Sequence, residues 1–395
     1  MKRTILILIL LLAPFLLWAQ EESLESLQQR AEAGDGAAML RLSEVYSKGE
    51  FGVEPDNQTA YNYLVRATET GDPHAYLALA EHYREDSWGI LEPDKEQERY
   101  WLERAAEQNH LGAILLLSNF EHTYEGKLGI FLRMIEVTPL AGTEDMAGIA
   151  KQEIVLYLQT KRTIKGDTYD PTAPNATRAL AWLRSEAEAG DPLRQHQLGA
   201  VYWDVLNDKA KGRYWVLKAA EAGHITAAHA LGRVIYWIED SPYRDLQEAL
   251  KWLVRAAEGG NAEAQFFLGS AYCPTIKNLY PVPQKDIWLA IQWFERSAAQ
   301  GYIQAQEIGG FQTVGYAKDI RNKKESYAIG AHGIRLLEMG MEQGNAHCAL
   351  LLGIAYGLGY GVKKDNKKCH YYYAIAARGG DQKAIEHCRK FNIPY

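Results

Sequence analysis

The chain has 395 residues, 47% hydrophobic and 24% charged, with 13 prolines and no long polar tract, which excludes a disordered chain strung on flexible linkers. The net charge of −7 is unevenly spread: residues 301–395 hold 13 Lys and Arg against 8 Asp and Glu, a local +5, which leaves −12 on residues 1–300. An acidic body of this kind repels nucleic acid, whose capture depends on neutralising phosphates.

The first predicted element is a leader. Lys2 and Arg3 are a positive start, Thr4 to Leu17 an apolar run, and Ala19 a small residue before Gln20. Together they read as a signal peptide over 1–19, which makes the remainder, 20–395, a periplasmic or secreted chain with no membrane span after cleavage. The run is shorter than the roughly 20 residues of a spanning helix. Leu17 is a poor cleavage-site residue, so an uncleaved anchor stays open. No later segment is long and apolar enough to span.

From Gly34 onward a pattern recurs. Gly34 is followed by Ala38, Leu42, Tyr46, Gly52, Asp56, Ala60, Tyr63, Leu64, Ala67 and then Gly71. Gly344 is followed by Cys348, Leu352, Gly353, Tyr356, Gly361, Asp365, Tyr372, Tyr373, Ala376, Ala377 and then Gly380. Starts fall at Gly34, Gly71, Asn109, Gly142, Gly190, Gly223, Gly260, Gly301, Gly344 and Gly380. The reading is about nine helix pairs, preceded by an extra helix at 21–33 and closed by a capping helix at 380–392. Ala, Leu and Tyr at offsets of four share a face of a first helix, A, and the aromatic residues with Ala-Ala line a second, B. A start glycine suits a left-handed helix end, and an Asp before helix B suits an N-cap. Since no pair can bury its own apolar face, neighbours must stack. The pattern thins at 119–177 and at 309–330, where register is uncertain and an insertion with its own role could sit.

These residues resemble the Sel-one-like repeats, relatives of the tetratricopeptide solenoids. The resemblance implies an all-α fold, a right-handed α-solenoid (an alpha-alpha superhelix). It implies a protein-interaction scaffold, often in bacterial envelopes or at host contacts, and no catalytic residues.

Candidate sites divide in two. If helix A maps onto its tetratricopeptide counterpart, offsets +3, +6, +10, +13 and +14 face a concave groove. That places Leu193, His196, Ala200, Trp203 and Asp204, then Thr226, His229, Arg233, Tyr236 and Trp237, then Phe266 and Ser270 along it. Trp, Tyr and Arg dominate binding hot spots, although the same side chains could equally fill the groove themselves. The second group is Cys348, Cys369 and Cys388 with His347, His370 and His387. Plain packing, one disulfide among the three cysteines, or a metal are the readings; the first is preferred because the thiols take small-residue or Leu places of the repeat. Gly357 to Gly361 imitates a phosphate loop but follows a helix, not a strand. No catalytic constellation is supported by a local signature, and no cofactor motif is identified.

The expectation is therefore a non-catalytic scaffold or regulator in the bacterial envelope, binding a protein or peptide partner. The alternatives are a weak hydrolase or binder of cell-wall or penicillin-like compounds, and a secreted factor that engages host proteins.

Overall fold

A computed structural model describes residues 23–85, 88–141, 144–159, 167, 169–277 and 280–395. The expected leader, 1–19, and the expected start at Gly142 lie outside them. The regular structure of the described residues is helical, with no β-strand. The chain divides into two compact units, Met1–Ala181 and Trp182–Tyr395.

In the first unit the helices are α1 (Leu24–Glu32), α2 (Gly36–Lys48), α3 (Asn57–Glu69), α4 (Pro73–Arg84), α5 (Lys95–Glu107), α6 (Leu111–Leu117), α7 (Tyr124–Ala141) and α8 (Glu144–Gln159). Helix α9 (Pro174–Glu188) contains the boundary. The second unit continues with α10 (Pro192–Ala200), α11 (Lys209–Glu221), α12 (Ile225–Ala230), α13 (Leu246–Glu258), α14 (Ala262–Tyr272) and α15 (Ile287–Ala299). It ends with α16 (Gly310–Lys318), α17 (Lys323–Glu342), α18 (Ala346–Leu358), α19 (Asn366–Arg378) and α20 (Gln382–Lys390). The A–B pairs α2/α3, α4/α5, α10/α11, α14/α15 and α18/α19 pack together, as do α7/α8 and α16/α17.

The repeat's punctuation has a direct physical role. Every described start residue is left-handed: φ runs from 82° to 102° at the eight glycines and is 62° at Asn109. There a Cβ would be strained, and the turn aims the next helix back along its predecessor. Asp56, Asp94, Asp245, Asp286 and Asp365 each accept two backbone N–H bonds at the start of helix B. Their own N–H groups donate to the carbonyls of Tyr46, Tyr83, Tyr236, Tyr272 and Tyr356. The recurrent Tyr and Asp thus clip the end of helix A to the start of helix B.

Leu-Gly pairs set the distance between the two helices. Leu198, Leu231, Leu268 and Leu352 are at most 1% exposed. The following glycines touch helix B so closely that a Cβ on Gly232 would fall 2.9 Å from the Leu253 nitrogen and 3.1 Å from the Ala249 carbonyl. Trp215, Trp252 and Trp293 of helix B are buried, with Lys218, Arg255 and Arg296 one turn on lying over their rings.

The described residues of the two thin stretches are mostly helical as well. In 119–177 the Glu125 carboxylate accepts from the N–H groups of Asn175 and Ala176, capping α9. In 309–330 the missing Leu and Tyr are replaced by close packing on small residues, Gly310 against the Gly333 carbonyl and Thr313 fully buried. At the C-terminus α20 buries Ala384 and Cys388 among Ala349, Leu350, Ala376 and Ala377.

Candidate functional site

The groove candidates all sit in the second unit, on α10, α12 and α14 and on the backbone just beyond the first two. Helices α10 and α12 do not end as α-helices. Each runs into a π-helical turn, Val201–Val205 and Leu231–Ile235. The N–H groups of Leu206 and Tyr236 reach back five residues, to the carbonyls of Val201 and Leu231. Trp203, Asp204 and Arg233 lie within these turns. Such bulges recur at functional positions in helices.

Arg233 is the centre of one cluster. Its guanidinium carbon stands 3.4 Å from the ring centroid of Phe267 and 4.6 Å from that of Trp237. The nearest carboxylate, Glu263, is 4.0 Å from the Arg233 Nε and 3.6 Å from the His229 Nε2. Neither contact is a hydrogen bond. The Nε and Nη1 of Arg233, the Nε2 of His229 and the Oγ of Ser270 are all buried without a hydrogen-bond partner. Orphaned donors of this kind cost about 1–3 kcal/mol each. Burial, with Arg233 adding to it and Glu263 opposing, lowers the pKa of His229. Arg233 therefore supplies the fixed positive charge here.

Trp203 belongs to a second cluster. The Nζ of Lys209 lies 4.7 Å from its ring and donates to its carbonyl at 2.6 Å, and Tyr243 is 6.2 Å away. Asp204 is exposed. His196 stacks on His224 at 4.9 Å; burial, then the neighbouring His224, brings its pKa down to about 4.

Two expected groove residues are core residues instead. Tyr236 is 5% exposed, and its hydroxyl accepts from the Arg213 Nε at 3.0 Å. It is the repeat's packing Tyr, displaced one place along the sequence: Tyr46, Tyr272 and Tyr356 stand twelve residues after their starts, Tyr236 thirteen after Gly223. Phe266 is 6% exposed and packs on Phe294 and Tyr302.

Sequence reasoning missed Glu263 and Phe267. Glu263 stands at offset +3, one of the positions expected to face the groove, and could have been found; Phe267, at +7, could not. It also missed that His110 and His224 are N-caps, each accepting through Nδ1 from the N–H three residues on. Gln195, Gln265 and Gln306, all at offset +5, donate to the last turn of the preceding helix B. That recurrence was visible in the sequence.

The four cysteines are free and buried, and the structure holds no bridge among Cys348, Cys369 and Cys388. Burial pushes the Cys348 thiol up to about 12. Among the described residues no group of three or more His, Cys, Asp or Glu is placed to hold a metal. No described helix is long and apolar enough to cross a membrane.

Among curated proteins none matches the sequence. Solved structures similar to it include a protective antigen of uropathogenic Escherichia coli with an SLR fold, 22% identical over 94% of this chain and 84% of that one, TM-score 0.43. A Sel1 repeat protein from Oxalobacter formigenes is 20% identical over 93% and 89%, TM-score 0.45. An immunity protein from Pseudomonas aeruginosa is 19% identical over 68% and 81%, TM-score 0.26. The Sel1 repeat itself matches residues 36–72, 73–110, 165–191, 195–224, 225–261, 262–302 and 346–381. With more than half its length matched, the chain belongs to the Sel1 repeat family, whose members are generally protein-interaction scaffolds.

Proposed function

We propose that this protein is a non-catalytic scaffold or regulator of the bacterial envelope that captures a protein or peptide on the surface around Trp203, His229, Arg233 and Trp237. The observation that carries the reading is Arg233. Its guanidinium is held close to the rings of Phe267 and Trp237, with part of the side chain still open to solvent, beside the partly buried His229; Arg and Trp together are residue types that dominate binding hot spots. His196 and Asp204 stand in the preceding repeat at the offsets of His229 and Trp237. The envelope location rests on Lys2, Arg3 and the apolar stretch Thr4 to Leu17.

The test is affinity capture from an envelope extract with the full mature chain and two variants, Trp203→Ala and Arg233→Ala. Each substitution is expected to weaken capture of the partner by about 1–3 kcal/mol, with little change in the melting temperature. Loss of stability with capture intact would show that both residues only pack.

A further inference from the structure

The turn joining helix A to helix B uses the same left-handed glycines, valine and capping aspartate in the first repeat and the last, although the first is one residue longer and holds Phe51 at φ 54° as well. Gly49 and Gly359 have φ of 73° and 74°, and Gly52 and Gly361 have φ of 78° and 62°. Val53 and Val362 follow, and Asp56 and Asp365 cap the next helix. The charges on this common frame are opposite. The first turn carries Glu50 and Glu54, with Glu50 paired to Arg41 at 2.6 Å. The last carries Lys363 and Lys364, followed by Lys367 and Lys368 in the opening turn of α19. The turn itself therefore has no need of lysine.

The preceding repeat adds Lys318, Arg321, Lys323 and Lys324 at its own A–B turn, and all eight cations are exposed. None forms an ion pair with a described residue, whereas Lys95, Lys211 and Lys251 near the starts of other B helices are paired with Glu98, Asp208 and Glu248. Lysines in the first turn of a helix also oppose its dipole, which favours negative charge there. Four of the eight, at 323, 324, 367 and 368, occupy that unfavourable place.

The two turns adjoin. The Gly361 backbone lies against Gly330 of α17, where no side chain could fit between them. The Lys318 Nζ is 5.1 Å from the Tyr360 ring, and the Lys368 Nζ is 4.7 Å from the Tyr356 ring. Beside the last turn is a recess of about 840 Å³ lined by Tyr327, Tyr356 and residues 361–368. Tyr327 is 41% exposed, and Lys323 and Lys324 sit one helical turn before it on the same face.

We propose that this edge is a docking site for an acidic segment of a partner protein, separate from the surface around Arg233. The carboxylates meet the unpaired lysines and an apolar side chain lies on Tyr327. Four lysines beside the exposed Tyr327 and the Tyr356 ring suit a peptide segment, which offers carboxylates and apolar side chains together.

The probe is fluorescein-labelled decaglutamate, followed by fluorescence anisotropy on the full mature chain at low and moderate salt. Binding is expected to weaken with salt. The combined change Lys363→Gln, Lys364→Gln, Lys367→Gln and Lys368→Gln is expected to lower affinity about tenfold or more. An equal charge change at Lys48, Lys95, Lys211 and Lys251 should stay within about twofold. If the fourfold variant does not fold, Lys363→Gln with Lys364→Gln, outside the helix, replaces it. Equal losses in the two lysine sets, no binding by the unaltered chain, or sedimentation with phosphatidylglycerol vesicles without decaglutamate binding would each overturn the proposal.

Discussion

Helix A of the last repeat and helix A of the repeat at Gly223 follow the same pattern and end differently. Helix α18 is an unbroken thirteen-residue α-helix closed by left-handed Gly359, whose N–H reaches back four residues to Ala355. Helix α12 stops after Ala230, passes through the π turn Leu231–Ile235 and closes at Tyr236. In the first, the regular end of the helix leads directly into the A–B turn. In the second, one extra residue is accommodated, the packing Tyr is kept by shifting it, and Arg233 lies inside the distortion. The repeat thus tolerates a change in helix register as long as its contacts to helix B survive, and the candidate binding residues occupy the place where that tolerance is used.

The largest expected effect tests the contact that both helices share. Gly232→Ala would press a methyl group on the backbone of α13, which cannot yield; the loss should be about 3 kcal/mol. Gly353→Ala meets the Tyr373 ring first, at 2.8 Å, with the Cys369 carbonyl farther away at 3.4 Å. A ring can move, so about 1 kcal/mol is expected there. Chemical denaturation of the two variants decides it; equal losses would mean that the repeats do not differ in how closely their backbones approach.

Much of this frame was legible before the structure. The start glycines, the Asp caps and the Leu-Gly pairs each do a local job with a fixed residue type, so they recur visibly. The π turns were not legible, because an inserted residue is indistinguishable from a looser loop until its hydrogen bonds are seen. Offsets taken from an unbroken helix therefore put Tyr236 on the surface, although it is buried. Trp203 and Arg233 could be picked out by residue type, but their separation into two clusters depends on Lys209, Tyr243, Glu263 and Phe267, which lie elsewhere in the sequence.

An intermediate effect separates the two helices by pH. His224 caps α12 where Asn345 caps α18. Its Nδ1 must stay unprotonated to accept the Ala227 N–H. Burial holds His224 below its ordinary value of 6.5, with Asp191 opposing, and His196, stacked on it, is lowered to about 4. A lowered pKa means that the unfolded chain takes up protons first, so stability falls as pH drops from 6.5 towards 4. The loss should be about 2 kcal/mol. Replacing His196→Gln and His224→Asn together should flatten the melting temperature over that range; an unchanged slope would place the acid sensitivity elsewhere.

The smallest effect concerns Arg233 itself. Arg233→Met keeps the contact with Phe267 and Trp237 while removing the orphaned donors, so stability should change by less than about 1 kcal/mol or rise. A loss of several kcal/mol in thermal denaturation would show that the guanidinium already has partners enough in the free protein.

The central claim is that the interrupted ends of α10 and α12 carry the capture surface at Trp203 and Arg233, a role that the regular end of α2 does not share. It is tested most directly by quantitative capture from one envelope extract with two double variants at matching offsets. Trp203→Ala with Arg233→Met alters the interrupted helices, and Ser47→Ala with Glu44→Ala alters the corresponding positions of α2. The account predicts that the first pair reduces the captured partner at least about tenfold while the second leaves it unchanged. Equal capture by both variants, or equal loss, would contradict it.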